Sequence, residues 1–265
     1  MKSIFQALAE LEKNNESAAL CIVTGSEGST PRHVGSKMLV YPDGKFIGTV
    51  GGGELENRVI KAAIESIRNE TAQTLSYNMA DPSRGDPGVC GGQVEVFVEP
   101  ILPAPLLVVI GAGHVGKAVV HLAKWLGYRV GVCDDRPEFC NAESTPGADA
   151  YYPVKMDELP KQININKHTI LILTTRGSAI DAAGILPLLN SSASYIGVIG
   201  SKRRWATTVK ALKDKGVSEE LIAKVHSPMG LELQAETPEE IAVSIMAEVM
   251  MIKDKGTGKS MKSGE

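Results

Sequence analysis

The chain opens with a helical pattern. Over residues 3–13, Ile4, Leu8 and Leu11 recur at three- and four-residue spacing, with Glu and Lys on the other side. Residues 18–23 are an apolar run that predicts a short buried strand. Residues 36–41 and 45–50 flank Pro42-Asp43-Gly44, whose Pro and Gly suit the two dihedral extremes of a tight turn, so a hairpin is expected. A second helix is predicted over 54–68, with Leu55, Val59, Ala62, Ala63 and Ile67 facing inward. Val94, Val96 and Val98 then alternate with polar residues over 92–98, as in a half-buried strand. Helices mixed with hairpins imply an α+β module over 1–99.

Pro100, Pro103 and Pro105 follow closely. Each lacks an N–H and fixes its φ angle, so an extended linker is expected over 100–105. After it the pattern changes. Residues 106–110, 129–133, 169–173 and 195–199 are continuous apolar runs separated by loops and helical stretches. Strands buried on both faces look like this, and their alternation with helices implies a doubly wound α/β domain over 106–253. The closing helix has a clear start: Thr237 as N-cap, Pro238 at its first position and Glu240 completing a capping box. Its inward face is expected to be Ile241, Ile245, Val249 and Ile252. The tail over 254–265 is rich in Lys, Gly and Ser, and is expected to be disordered. No internal repeat is visible.

Composition removes several function classes. Of 265 residues, 43% are hydrophobic and 22% charged, enough apolar surface to offset chain ordering. No apolar run approaches the roughly 20 residues a bilayer-spanning helix needs. A formal charge of −3 argues against a nucleic-acid binder. The first dozen residues contain acids and lack the basic start and clean apolar stretch of a secretory signal, so a cytoplasmic protein is expected. Cys21, Cys90, Cys133 and Cys140 form no CxxC pair, which suggests reduced thiols and no metal held by the protein alone.

Gly111-Ala112-Gly113-His114-Val115-Gly116 follows a predicted strand and opens a predicted helix, with Asp134 and Asp135 about twenty residues on at the next strand end. Side-chain-free residues let an anion approach the backbone, and a helix start supplies N–H donors. The alternative is that these glycines serve only tight helix–sheet packing, while His114 is either a ligand contact or a helix-start residue. Three loops share the expected sheet edge: Asp134-Asp135-Arg136, Thr175-Arg176-Gly177, and Gly200-Ser201-Lys202-Arg203-Arg204. Arg176 is the favoured oxyanion contact. Arg203 and Arg204 fit ligand binding and solvated helix-start charge equally well. In the first half, the loop over 25–32 and Gly51-Gly52-Gly53-Glu54 also gather glycines. The latter is either an anion site or a helix start satisfied by Glu54 itself. Cys90 lies between glycine-rich flanks, where a thiolate could serve a soft metal or sulfur transfer. No HxH, HExxH or Ser/His/Asp arrangement suggests a hydrolase.

These residues resemble the XdhC/CoxI family. Gly28-Ser29-Thr30-Pro31-Arg32, Gly35-Ser36-Lys37-Met38, Gly51-Gly52-Gly53-Glu54-Leu55-Glu56 and Cys90-Gly91-Gly92 are similar to its N-terminal domain. The glycine turn, Asp134-Asp135-Arg136-Pro137-Glu138-Phe139, Thr175-Arg176-Gly177, Ile199-Gly200-Ser201-Lys202-Arg203, Val225-His226-Ser227-Pro228-Met229-Gly230-Leu231 and the capping box are similar to its Rossmann domain. The match covers nearly the whole chain in order. Ser178 departs from it, since the family often has His there. The resemblance implies a dimeric, cytoplasmic accessory protein of purine catabolism, with no turnover of its own. Such a protein binds the molybdenum cofactor (molybdopterin) as cargo. It helps the cofactor acquire sulfur from a cysteine desulfurase-type donor and inserts it into apo xanthine dehydrogenase or a related molybdenum hydroxylase. It implies cofactor contacts at Arg32, Lys37, Gly52, Gly53, Gly91, Gly111, Gly113, His114, Gly116, Asp134, Asp135, Arg176, Gly200 and Ser201, with Cys90 at the metal or its sulfur. The chain is too short to be the hydroxylase. The glycine turn also allows an NAD(P)-dependent oxidoreductase, in which Asp134 would favour NAD. A proton donor paired with a substrate-anchoring arginine is not evident for that reading.

Overall fold

Alternate residues of the first strand, β1 (Ala18–Glu27), face two different helices, as a period of two requires. The computed structural model describes residues 3–14, 16–79 and 91–262. The chain divides into two units, Met1–Ala104 and Pro105–Glu265. In the first unit, α1 (Ile4–Asn14) precedes β1, and β2 (Lys37–Val40) and β3 (Phe46–Gly48) form the expected hairpin. Then come α2 (Gly53–Asn69), β4 (Gln73–Asn78) and β5 (Gln93–Ile101). The antiparallel sheet has the order β3-β2-β1-β5-β4. Ala19, Cys21 and Val23 meet Leu55, Val59, Ala63 and Ile67 of α2, while Ala18 and Leu39 meet Ala7 and Leu11 of α1.

The proline-rich stretch departs from expectation. Residues 99–101 are strand, with Leu20, Ala19 and Ala18 opposite Glu99, Pro100 and Ile101. The pairing of β4 with β5 stops at Val98. Beyond it β5 has one neighbour, and a residue without an N–H is tolerated at such an edge. The irregular connection is therefore only residues 102–105.

The second unit begins with β6 (Leu106–Ile110), α3 (His114–Trp125), β7 (Arg129–Cys133) and β8 (Ala150–Tyr152). A 3₁₀ turn (Met156–Glu158) and α4 (Leu159–Gln162) lead to β9 (Thr169–Leu173), α5 (Ser178–Gly184) and α6 (Leu186–Leu189). The unit ends with β10 (Tyr195–Val198), α7 (Lys202–Asp214), α8 (Glu219–Ile222), β11 (Val225–His226) and α9 (Pro238–Lys253). Its six strands are parallel in the order β11-β10-β9-β6-β7-β8. The chain enters at the centre, winds outward through β7 and β8, then crosses back to β9. The switch point lies between β6 and β9, where this architecture binds ligands at the carboxyl ends of its strands. One face of the sheet packs on α3 and α9, the other on Met156, Leu159, Ile185, Leu188, Leu189 and Leu212. This is the doubly wound α/β sheet read from the sequence.

The capping box at Thr237 and Glu240 is present. Helix α9, however, buries Ala242, Ser244, Ile245, Met246 and Val249, with Ile241 and Ile252 only flanking the core. Nearly every turn of this helix is apolar, so periodicity alone did not single out its inner face. Residues 254–262 are irregular, with the Gly256 N–H donating to the Met251 carbonyl at 2.8 Å. No described helix is long and apolar enough to cross a membrane.

Candidate functional site

The turn between β6 and α3 gives its glycines different work. Gly111 has φ +105°, and a Cβ there would lie 2.6 Å from the Thr174 carbonyl oxygen. A Cβ at Gly116 would overlap the Gly111 carbonyl oxygen, so that glycine sets how closely α3 approaches β6. Gly113 is the N-cap of α3, has no side-chain cap, and its missing Cβ would point into open space. Exposed His114 is the first helical residue. The helix start therefore presents bare backbone and positive potential to whatever lies above the sheet edge.

The two aspartates behave differently. Asp134 is buried, its side chain 3% exposed. Its Oδ2 accepts from the Ala112 N–H at 2.8 Å and from Arg136 Nη2 at 2.9 Å. Its Oδ1 accepts from the Arg136 N–H at 3.0 Å and Nε at 2.9 Å. Burial pushes the Asp134 carboxyl up, but the hydrogen bonds from Arg136 and Ala112 outweigh this and hold it below the usual carboxylate range. The Arg136 guanidinium is in turn stacked over Phe139 at 4.0 Å. Both oxygens that a ribose diol or a ring amine would need at Asp134 are thus already engaged. Asp135 is exposed, and both its oxygens accept from Arg176 Nη2 at 3.1 Å. A pair this open to solvent is worth little, roughly 0–1 kcal/mol, and exchanges readily.

Arg204 turns inward, which resolves half of the balance left open for the two arginines. Its Nη2 donates to Asp181 Oδ2 at 2.8 Å, Thr175 Oγ1 at 2.7 Å and the Thr175 carbonyl at 3.1 Å. Thr175 Oγ1 donates to Asp181, whose side chain is fully buried. A Cβ at Gly200 would lie 2.6 Å from Arg204 Cδ, and Ser201 caps α7 by accepting from the Arg204 N–H at 3.2 Å. Gly200 and Ser201 therefore have visible work in seating Arg204, while Arg203 stays exposed. One guanidinium ties the loop after β9, the first turn of α5 and the start of α7 together. That fixes the backbone on which Arg176 stands.

Between these loops lies a cavity of about 310 Å³. Ile110, Cys133, Val154, Met156, Ile180 and Ala183 contribute apolar wall, and Gly111, Asp134, Asp135, Arg136, Lys155, Asp157 and Arg176 contribute polar lining. Cys133 is buried, its Sγ donating to the Val154 carbonyl at 3.4 Å, and burial pushes its thiol up to about 12. It is a neutral part of the wall. The segment over 154–157, Asp181 and the inward role of Arg204 were not found in the sequence, and Thr175 was placed at the sheet edge without its partners. They lie outside the glycine pattern and show no periodicity of their own.

In the first unit, Gly52 is the N-cap of α2 and Gly53 its first residue, with φ +79° and +62° and nothing near either missing Cβ. Glu54 does not cap this start, since its Oε1 accepts from Arg58 Nε at 3.1 Å. Lys37 Nζ donates to the Gly35 carbonyl at 2.9 Å, and Arg32 sits in the exposed loop before β2. Gly91 is exposed with φ +81°, and its N–H donates to the Met79 carbonyl at 2.6 Å. Cys90 lies outside the described residues. Among the described residues, no group of three or more His, Cys, Asp or Glu side chains could hold a metal ion.

Comparison with known proteins agrees with this architecture. The sequence model of the XdhC Rossmann domain matches residues 107–249, and that of the XdhC and CoxI family matches residues 11–78. The Escherichia coli protein YqeB, which is uncharacterized, is 33% identical over 98% of this chain and 48% of its own length. A Bacillus subtilis protein named as a probable subunit of xanthine dehydrogenase is 31% identical over 60% of this chain and 46% of its own. The chain thus spans about half the length of these two relatives. The Escherichia coli molybdenum cofactor insertion chaperone PaoD is 24% identical over 95% of this chain and 88% of its own. A crystal structure named a xanthine dehydrogenase from Bacillus halodurans shares the fold at a TM-score of 0.51 and 21% identity, covering 99% of this chain and 98% of that one.

Proposed function

We propose, from the premise that the chain belongs to the XdhC and CoxI family, that it is an accessory protein carrying the molybdenum cofactor to a xanthine dehydrogenase-type molybdenum hydroxylase. The observation that carries this reading is the uncapped start of α3, bare at Gly113 and adjoining the sheet-edge cavity through Gly111. The cargo is a pterin dithiolene with one phosphate. A helix start suits the phosphate, and a partly apolar cavity suits the flat ring. Arg176 can leave its exposed partner Asp135 for a ligand oxyanion at small cost. The name of the relative PaoD supports the cargo, and that of the Bacillus subtilis relative supports the class of recipient.

In this reading the chain also supports sulfuration of the cofactor. Cys90 approaches the metal or its sulfur, and a cysteine desulfurase-type enzyme is the donor. The first unit has its own candidate cargo contacts, Arg32, Lys37, Gly52, Gly53 and Gly91, and the working form is a cytoplasmic homodimer. The alternative, an NAD(P)-dependent oxidoreductase, is disfavoured by the engagement of both Asp134 oxygens with Ala112 and Arg136. The test is anaerobic equilibrium binding of molybdenum cofactor to the full chain with NAD(H) as competitor. Tight, roughly stoichiometric binding that excess NAD(H) leaves in place is expected. Binding of NAD(H) alone would overturn the reading.

A further inference from the structure

We propose that Lys155 and Asp157 recognise the edge of a 2-amino-4-oxo fused pyrimidine lying in the sheet-edge cavity, the edge that pterins and guanine share. Six charged residues line the cavity: Asp134, Asp135, Asp157, Arg136, Lys155 and Arg176. Four of them satisfy one another, Asp134 with Arg136 at 2.9 Å and Asp135 with Arg176 at 3.1 Å. Lys155 and Asp157 make no hydrogen bond or ion pair through their side chains with any described residue. Both are exposed at the cavity rim, and they are the two charged lining residues with no side-chain partner among the described residues.

Their placement is fixed from below. Met156 stands between them and is buried, 5% exposed, against the second core of the unit. A Cβ on Gly184 of α5 would lie 3.0 Å from the Met156 Cβ, so the two backbones run close together there. The segment is thus held at Met156 while its charged neighbours line the opening.

The chemistry of the pair selects the ligand edge. A carboxylate only accepts hydrogen bonds and an ammonium only donates them. One carboxylate can take both N–H groups of a 2-amino-4-oxo ring, at the ring nitrogen and the exocyclic amine, while the ammonium donates to the neighbouring carbonyl. Adenine has no such carbonyl and no ring N–H on that edge, and hypoxanthine lacks the exocyclic amine. Ile110, Val154 and Ile180 supply apolar contact for the ring. Of the carboxylates first expected to read the ring, Asp134 is held on both oxygens by Ala112 and Arg136, and Asp135 is the exposed partner of Arg176.

For a pterin cargo this rests on the carrier reading; the edge preference itself is tested apart from it. Equilibrium dialysis of the full chain against guanosine, inosine and adenosine monophosphates uses three probes that share a phosphate and differ in the ring edge. Guanosine monophosphate is expected to bind at least about tenfold more tightly than either of the others, since a site built for hydrogen bonds rejects a ring that leaves them unmade. Asp157→Asn should erase that preference, and Lys155→Met should weaken guanosine monophosphate with little change for adenosine monophosphate. Failure of guanosine monophosphate to bind, equal binding of all three, or an unchanged preference in Asp157→Asn would overturn the assignment. Molybdenum cofactor binding is measured alongside. Cofactor binding without an edge preference refutes the Lys155–Asp157 pair and leaves the carrier reading standing. An edge preference without cofactor binding does the reverse.

Discussion

Adding one methyl group at two positions of the same turn should have opposite consequences. Gly116→Ala places a Cβ in the Gly111 carbonyl oxygen and 2.9 Å from Thr174 Oγ1. Both obstacles are held: the carbonyl is main chain, and Thr174 Oγ1 donates to that same oxygen at 2.6 Å. Helix α3 must therefore move off β6. Overpacking of this kind costs about 1–3 kcal/mol, and loss of the Thr174 hydrogen bond adds about 1 kcal/mol. The better helix propensity of alanine returns about 1 kcal/mol, leaving a net loss of roughly 1–3 kcal/mol. Gly113→Ala meets no atom and takes an ordinary extended backbone, so its stability cost stays below about 1 kcal/mol. That methyl does stand where an anion would meet the helix start, and cofactor affinity should fall at least about tenfold, or 1.4 kcal/mol. The chain's two tryptophans, Trp125 and Trp205, both belong to the unit Pro105–Glu265, so fluorescence in urea reports on that unit alone. With a slope of roughly 2 kcal/mol per molar urea, the midpoint of Gly116→Ala should drop by about 0.5–1.5 M, while that of Gly113→Ala stays near wild type. A Gly116→Ala chain as stable as wild type, or a Gly113→Ala chain with wild-type cofactor affinity, would refute this division of labour.

Arg204→Met leaves the Asp181 carboxylate buried without its cation and should cost about 3 kcal/mol in the same urea experiment, with Arg204→Lys recovering part of it; a loss below about 1 kcal/mol would show that the network does not hold these loops. The depressed Asp134 carboxyl contributes stability above the ordinary carboxylate pKa of about 3.9, and that contribution is lost as pH falls through the lower folded value. Asp134→Asn should therefore lower the urea midpoint at pH 7 and flatten the acid limb of the stability profile, and an unchanged profile would count against the clasp. Cys90→Ala should reduce protection or transfer of the cofactor while the fold, followed by far-ultraviolet circular dichroism of the whole chain, persists; unchanged transfer would remove Cys90 from the mechanism.

Most of the second unit can be read from the sequence because burial on both faces writes strands as plain apolar runs. Leu106–Ile110, Arg129–Cys133 and Thr169–Leu173 fall where those runs stand. Strand Gln73–Asn78 escaped notice because it is an edge strand of mixed polarity, with only Leu75 and Tyr77 packing on the core. Ala150–Tyr152 and Val225–His226 are too short for any period to emerge. At the site, the glycine turn, Asp135 and Arg176 were visible as motif and spacing. The partners that decide what each aspartate can do were not. Whether Asp134 or Asp135 is open depends on where Arg136 folds, and nothing in the string Asp-Asp-Arg distinguishes the two. Lys155 and Asp157 carry no motif. They matter because the fold leaves them without partners beside a cavity.

The order of the parallel sheet also bears on how the chain comes to be competent. Strand β9 pairs with β6 in the centre, Leu106 opposite Thr169, although about 60 residues separate them along the chain, a long-range closure of the kind that slows folding. The start of α3 forms with β6 and β7, but the Thr174 hydrogen bond to the Gly111 carbonyl waits for β9. The cavity wall formed by Thr175, Arg176 and Ile180 exists only after that late closure. A nascent chain halted before it would display a bare helix start with no pocket beside it. Tight retention of a ligand that needs both would then distinguish finished molecules from unfinished ones, and ligand binding would stabilise the closed sheet in proportion to its affinity.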